Sequence, residues 1–112
     1  MHERKTKMSE LSDAFIAMPG GVGTLEEIFE QWTWAQLGIH LKPCAFLNVD
    51  GFYDELIKFI EVTTQKGFTH ERFTNTLISS SSIQDVLSQF EKFVAPEPKW
   101  GMVERSTVVE NT

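Results

Sequence analysis

The chain has 112 residues, 41% of them hydrophobic and 12% aromatic, and its 16 acidic residues against 10 Lys and Arg give a formal charge of −6. That length suits one domain, and the acidic balance argues against a nucleic-acid backbone as partner, because such binding depends on Lys and Arg neutralising phosphates. No apolar run approaches the roughly 20 residues of a membrane span, the first ten residues are charged where a signal peptide is apolar, and Cys44 is the one cysteine; a soluble protein of the reducing cytoplasm is expected.

A helix is expected from Met1 to about Ser12. It opens on Met1-His2-Glu3-Arg4-Lys5, where Arg4 and Lys5 can hold a phosphate or a ribose, or can form an ordinary solvated face. The apolar run Ala14 to Met18 reads as a strand. Next comes Pro19-Gly20-Gly21-Val22-Gly23-Thr24-Leu25-Glu26-Glu27, and then an apolar-periodic helix from Thr24 to Leu37.

Strand, glycine turn and helix together describe an anion site. Glycines 20, 21 and 23 permit backbone angles closed to other residues and let the chain approach a ligand without side-chain obstruction. Thr24 is a good N-cap, so the first N–H groups of the helix and its positive dipole end point at the same place, where a monoester phosphate fits. The pattern is neither that of a P-loop, since no Lys-Ser/Thr pair follows the glycines, nor that of the dinucleotide fingerprint. Glu27 has two readings. It closes a capping box with Thr24, or it stabilises positive charge that develops beside the phosphate during reaction, as at the anomeric carbon of a ribose losing its base.

A strand from Cys44 to Val49 follows Lys42-Pro43, with Cys44 a buried strand residue rather than a nucleophile. Phe52 to Lys66 reads as a helix with Phe52, Leu56, Phe59, Ile60 and Thr63 on one face, and Gly67 as its C-terminal stop. Thr76 to Ser79 reads as a short strand. Ser82 caps a last helix through Phe93, with Ile83, Val86, Leu87, Phe90 and Val94 inward. This alternation predicts a Rossmann-like α/β domain over residues 1–94, a parallel sheet with flanking helices and its ligand at the carboxyl ends of the strands. Residues 95–112, which include Trp100, read as a loose tail. His2, His40 and His70 lack metal-ligand spacing and are taken as surface or loop residues, with His2 able to touch ligand beside Arg4; no metal is expected.

The order and spacing of M-H-x-R-K, then P-G-G-x-G-T-x-x-E, then Thr33-Trp34-Ala35-Gln36-Leu37-Gly38 resemble the Lonely Guy family of nucleoside-monophosphate phosphoribohydrolases, from Met1 to about Phe93. The resemblance implies hydrolysis of the N-glycosidic bond of a cytokinin riboside 5′-monophosphate, or of an AMP-like nucleotide, to free base and ribose 5-phosphate, with no cofactor. By motif match it puts the catalytic arginine on Arg4 and the catalytic glutamate on Glu27. Lys5, Gly20, Gly21, Val22, Gly23 and Thr24 then surround the nucleotide, with Thr33 as a further substrate contact. Arg4 would fix the sugar phosphate and offset charge on the departing base. Proteins of this kind have often been labelled lysine decarboxylase, but no lysine here has a setting that suggests a pyridoxal phosphate Schiff base.

Family members carry an additional N-terminal half of the nucleotide-binding fold. This chain therefore reads as a fragment or truncated product, in which three strands are not expected to find cover on both sheet faces. The helix Thr24 to Leu37 is apolar over most of its circumference, so it reads as a helix buried on more than one side; an ordinary core helix fits as well, while the resemblance favours a homodimer through it, with Trp32 and Trp34 as anchors. Two other classes compete with the enzyme: a non-catalytic nucleotide carrier, and a ligand-free interaction module.

Overall fold

The computed structural model describes residue 7 and residues 10–97. Lys7, Glu10 and Leu11 are helical and Ser12 is not, while the other residues of the expected first helix, including Arg4 and Lys5, lie outside the described residues, as does Trp100. The elements that follow are β1 (Phe15–Ala17), α1 (Val22–Leu37), β2 (Cys44–Leu47), a 3-10 turn (Val49–Gly51), α2 (Asp54–Gln65), α3 (Glu71–Thr74), β3 (Ile78–Ser80) and α4 (Ile83–Glu91). The short α3 was not anticipated. The strands form one parallel sheet in the order β1-β2-β3, with Phe15 opposite Cys44, Ala17 opposite Phe46, and Phe46 opposite Ser79. This is the Rossmann-like α/β arrangement that the alternation of elements predicts.

All four residues of β2 are buried, as befits the one strand with neighbours on both sides, and for that reason they read as an unbroken apolar run. Successive side chains alternate between two layers. Phe15, Ala17, Cys44 and Phe46 pack with Ile28 and Trp32 of α1, Tyr53, Ile60 of α2, and Phe73 of α3. Ala45, Leu47 and Ile78 face the other way and pack with Val86 of α4, with Ile16 and Phe90 beside them. The expectation that three strands lack cover on both faces is therefore corrected. After β3 the chain crosses to the opposite side, and α4 lies over β2 and β3.

Two helix faces also differ from expectation. In α2 the inward stripe is Tyr53, Leu56, Ile57 and Ile60, while Phe52 and Phe59 are 53% and 61% exposed. The cause is Tyr53, the N-cap residue of α2, whose ring sits 4.9 Å from that of Phe46 and fixes the rotation of the helix. In α4 only Val86 is fully buried and Phe90 partly so; Ile83, Leu87 and Val94 are exposed. A nine-residue helix over strands of three and four residues brings one row of side chains to the sheet.

The helix ends follow elementary capping rules. Ser82 accepts the Asp85 N–H at 3.2 Å and caps α4 as expected. Gly67, at φ 86°, closes α2, with the Phe68 N–H on the Thr63 carbonyl at 2.9 Å. Gly38, at φ 79°, closes α1 in the same manner, with the Ile39 N–H on the Trp34 carbonyl at 2.9 Å. Both are left-handed positions where a side chain is strained and glycine is not. Past α4, the Glu97 carbonyl accepts from Arg72 Nε at 3.2 Å, so the first residues of the expected loose tail are anchored to α3.

Candidate active site

The turn from Met18 to Gly23 leaves the carboxyl end of β1 and runs straight into α1. The first rung of the helix is the Leu25 N–H on the Gly21 carbonyl, at 3.1 Å, so Gly21 is the N-cap and it brings no side-chain cap. The expected start at Thr24 is thus corrected by two residues. Thr24 sits within the first turn, and the capping-box reading of Glu27 falls with it, since a box would need Thr24 at the cap. The N–H groups of Val22, Gly23 and Thr24 lie outside the intrahelical ladder. No acidic side chain occupies that first turn, which leaves the positive end of the helix dipole uncompensated by Glu or Asp at the point where an anion would approach.

The three glycines are needed for reasons other than backbone angle. None of Gly20, Gly21 and Gly23 has a positive φ; the positive-φ glycines are Gly38, Gly51 and Gly67. A Cβ on Gly20 would overlap the Thr24 hydroxyl and come within 3.0 Å of its Cβ. At Gly21 and Gly23 a Cβ would meet nothing within 4 Å. Packing within the chain does not demand glycine at these two positions, so the bare backbone there is space available to a ligand.

Thr24, Glu27, Ile28 and Gln31 form an i, i+3, i+4, i+7 stripe on α1. They line a cleft of about 210 Å³ whose other wall is Ser12, Ala14 and the β1 residues Phe15 to Ala17. Glu27 is half-buried in this cleft, one turn inside the helix start. Gln31 is 1% exposed. Its Oε1 lies 3.2 Å from His40 Nε2, and His40 Nδ1 accepts the Lys42 N–H at 3.1 Å. The latter contact fixes the tautomer, because a nitrogen that accepts carries no proton: His40 is neutral and donates from Nε2 to Gln31. Burial, with Lys42 nearby, holds the His40 pKa below its ordinary 6.5. His40 therefore lies in the loop between α1 and β2, one of the two settings expected, but it is buried and hydrogen-bonded there rather than on the surface.

A second tier supports the turn. The Tyr53 hydroxyl donates to the Met18 carbonyl, and the Tyr53 N–H donates to Asn48 Oδ1 at 2.7 Å. Asn48 Nδ2 donates in turn to Asp54 Oδ1 at 2.7 Å. The loop after β2 thus braces the end of β1. Desolvation raises the Tyr53 pKa, which keeps the hydroxyl a donor. Neither Tyr53 nor Asn48 carries a sequence signal for this role, because the contact joins residues 35 positions apart.

Of the residues expected to act together, Gly20 to Gly23 follow the carboxyl end of β1 and lead into α1, and Thr24 and Glu27 line the cleft, whereas the glycines themselves are not among its lining residues. Thr33 is exposed and is not among the lining residues. Arg4 and Lys5 lie outside the described residues. Cys44 is buried and its thiol is pushed up to about 12, consistent with an inert strand residue. A larger groove of about 660 Å³ lies between α2, α3 and β3, with Glu61 and Glu71 on it; it contains none of the glycine turn, and its carboxylates disfavour a phosphate. Among the described residues no three His, Cys, Asp or Glu side chains gather as metal ligands, and no helix is long and apolar enough to cross a membrane.

A family model described as a possible lysine decarboxylase matches residues 1–90. The chain is 50% identical over 103 residues to the cytokinin riboside 5'-monophosphate phosphoribohydrolase LOG of Oryza sativa subsp. japonica, a match that covers 92% of this chain and 42% of the rice protein. It is 46% identical over 99 residues to the phosphoribohydrolase LOG1 of Arabidopsis thaliana, covering 88% of this chain and 46% of the relative. The chain thus spans about half the length of the curated relatives it matches. Those matches run through the strand, the glycine turn and the helix that carries Glu27, and with them the chain belongs to the Lonely Guy family.

Proposed function

We propose that this chain carries the phosphate-binding and glycosidic part of a phosphoribohydrolase site, which hydrolyses the N-glycosidic bond of a nucleoside 5′-monophosphate to free base and ribose 5-phosphate. The observation that carries the reading is the placement of Glu27: a carboxylate in a cleft, one turn inside an uncapped helix N-terminus whose Gly21 and Gly23 leave open space. A phosphate at the turn sets the sugar near Glu27. Bond cleavage leaves positive charge on the anomeric carbon, and a fixed carboxylate there lowers the barrier or orients the attacking water. The names of the relatives support N6-substituted adenine ribotides as substrates, with AMP as the simpler member of the class. Arg4, by its place in the family motif, fixes the sugar phosphate, and Lys5 lies beside it.

The test is release of adenine from AMP, and of isopentenyladenine from its riboside monophosphate, by this chain and by Glu27→Gln. Release by the parent that falls a hundredfold or more in the variant supports the reading. A folded parent chain that releases neither base rejects catalysis by this chain alone and leaves a binding remnant or a fragment of a longer enzyme. The family resemblance also favours a homodimer through α1, and a single buried cysteine, Cys44, suits a reducing cytoplasm. Light scattering of the purified chain tests the first, since a monomeric mass would remove the homodimer.

A further inference from the structure

Two buried side-chain polar atoms among the described residues have no hydrogen-bond partner, Gln31 Nε2 and Trp32 Nε1. Only Gln31 lines the Glu27 cleft. An orphaned amide donor in a residue that is 1% exposed is costly, on the order of 1–3 kcal/mol, so a buried donor of this kind calls for a partner that the chain itself does not supply. Which amide atom is left without a partner is settled by the chain of donors behind it. Lys42 donates to His40 Nδ1, so His40 donates from Nε2, so Gln31 offers Oε1 to His40 and keeps its NH₂. The side chain cannot flip without setting donor against donor.

We propose that the Gln31 carboxamide is a specificity residue of this cleft, donating a hydrogen bond to a ring nitrogen of the nucleotide's base. The inference rests on the phosphoribohydrolase reading above. Along α1 the helix start, Glu27 and Gln31 follow one another, with about 6 Å of rise from Glu27 to Gln31. A phosphate at the turn and a sugar at Glu27 leave the base for the level of Gln31. The chemistry matches: a purine ring presents lone pairs on its edge nitrogens, whereas the ribose offers hydroxyls, for which the Glu27 carboxylate is the better acceptor. The side chains of Phe15 and Ile28 on this side of the sheet are apolar, which suits a flat base with one polar contact.

The experiment is calorimetric titration of the chain with AMP and, separately, with ribose 5-phosphate, in the parent, Gln31→Met and Gln31→Glu. Gln31→Glu keeps an oxygen for His40 and removes the donor from the cleft; Gln31→Met removes both. Both variants are expected to lose about tenfold or more in AMP affinity while ribose 5-phosphate binds as in the parent. Retained ribose 5-phosphate binding also certifies that each variant is folded. Unchanged AMP affinity in the two variants overturns the inference and leaves the phosphoribohydrolase reading standing. Equal losses for AMP and ribose 5-phosphate also overturn it, because the amide would then act at the sugar or on the fold. A parent chain that binds neither ligand overturns the functional reading itself, and this inference with it.

Discussion

The hydroxyl of Tyr53 donates to the carbonyl of Met18, the residue immediately before the glycine turn. Tyr53 is 2% exposed and its ring is packed on Phe46, so the turn is tied to the core through a single rigid side chain. Tyr53→Phe keeps the ring and deletes the tie. The expected result is a loss of about 1 kcal/mol in denaturant unfolding, with faster amide exchange at Gly20 to Thr24 than elsewhere in α1. Uniform exchange across α1 would show that the tie does not hold the turn.

The glycines separate into two kinds, and alanine substitution distinguishes them. Gly20→Ala sets a methyl against the Thr24 side chain and should destabilise the chain by about 1–3 kcal/mol. Gly23→Ala meets nothing within 4 Å and lies in a helix. It should raise stability by about 0.4–1 kcal/mol while weakening the binding of AMP. Stability and affinity moving together at position 23 would contradict the assignment of that space to a ligand.

His40 gives the stability a pH dependence of known sign. Its pKa in the folded chain lies below the ordinary 6.5, so below pH 6.5 the unfolded chain takes up the proton more readily and folding is penalised. Protonation also turns Nδ1 from acceptor to donor against the Lys42 N–H. The chain should hold its full stability from this group above pH 6.5 and lose it as the pH falls toward the folded-state pKa. His40→Asn should flatten the curve in that window; an unchanged slope would assign the dependence to other groups.

On the second sheet face α4 buries Val86 fully and Phe90 in part. Val86→Ala, at a position that is 0% exposed, should cost about 2 kcal/mol. Leu87→Ala next to it, at a position 49% exposed, should stay within about 0.5 kcal/mol. Comparable losses would mean that α4 is rotated from the orientation described.

Cys44, its thiol raised to about 12 by burial, should resist iodoacetamide at pH 8 in the folded chain and react at once in denaturant. Native-state labelling at a rate similar to the unfolded chain would place the thiol nearer the surface.

What could be read from the sequence divides by range. The glycine turn, the Ser82 cap and the glycine stop at Gly67 are governed by residues within a few positions of one another, and each appears where its chemistry predicts. The parallel sheet follows from the alternation of apolar runs and helices. The start of α1 was misjudged because Thr24 is a better cap by type than Gly21, and it is the main-chain path from Met18, held by Tyr53, that decides. Phe59 was expected inside because phenylalanine is apolar; the rotation of α2 is set by Tyr53 against Phe46, a long-range contact with no local sign. His40 and Gln31, nine residues apart, showed no motif at all. A glutamine inside the apolar stripe of α1 was the available signal, since a polar side chain on a buried face must be paired or wait for a partner.

The strand order β1-β2-β3 is also the order in which the strands occur in the chain. β1 reaches β2 through α1, and β2 reaches β3 through the 3-10 turn, α2 and α3, and no segment must thread past another. Such a topology lets folding begin as a compact β-α-β unit and grow outward from it, with loop-closure entropy met in small steps. β2 belongs to both units, and its four buried residues pair with β1 on one side and β3 on the other. The proposed anion site and the more local of the two pairings are then neighbours: the β1-α1-β2 segment that bears the glycine turn is also the shorter of the two strand-to-strand connections.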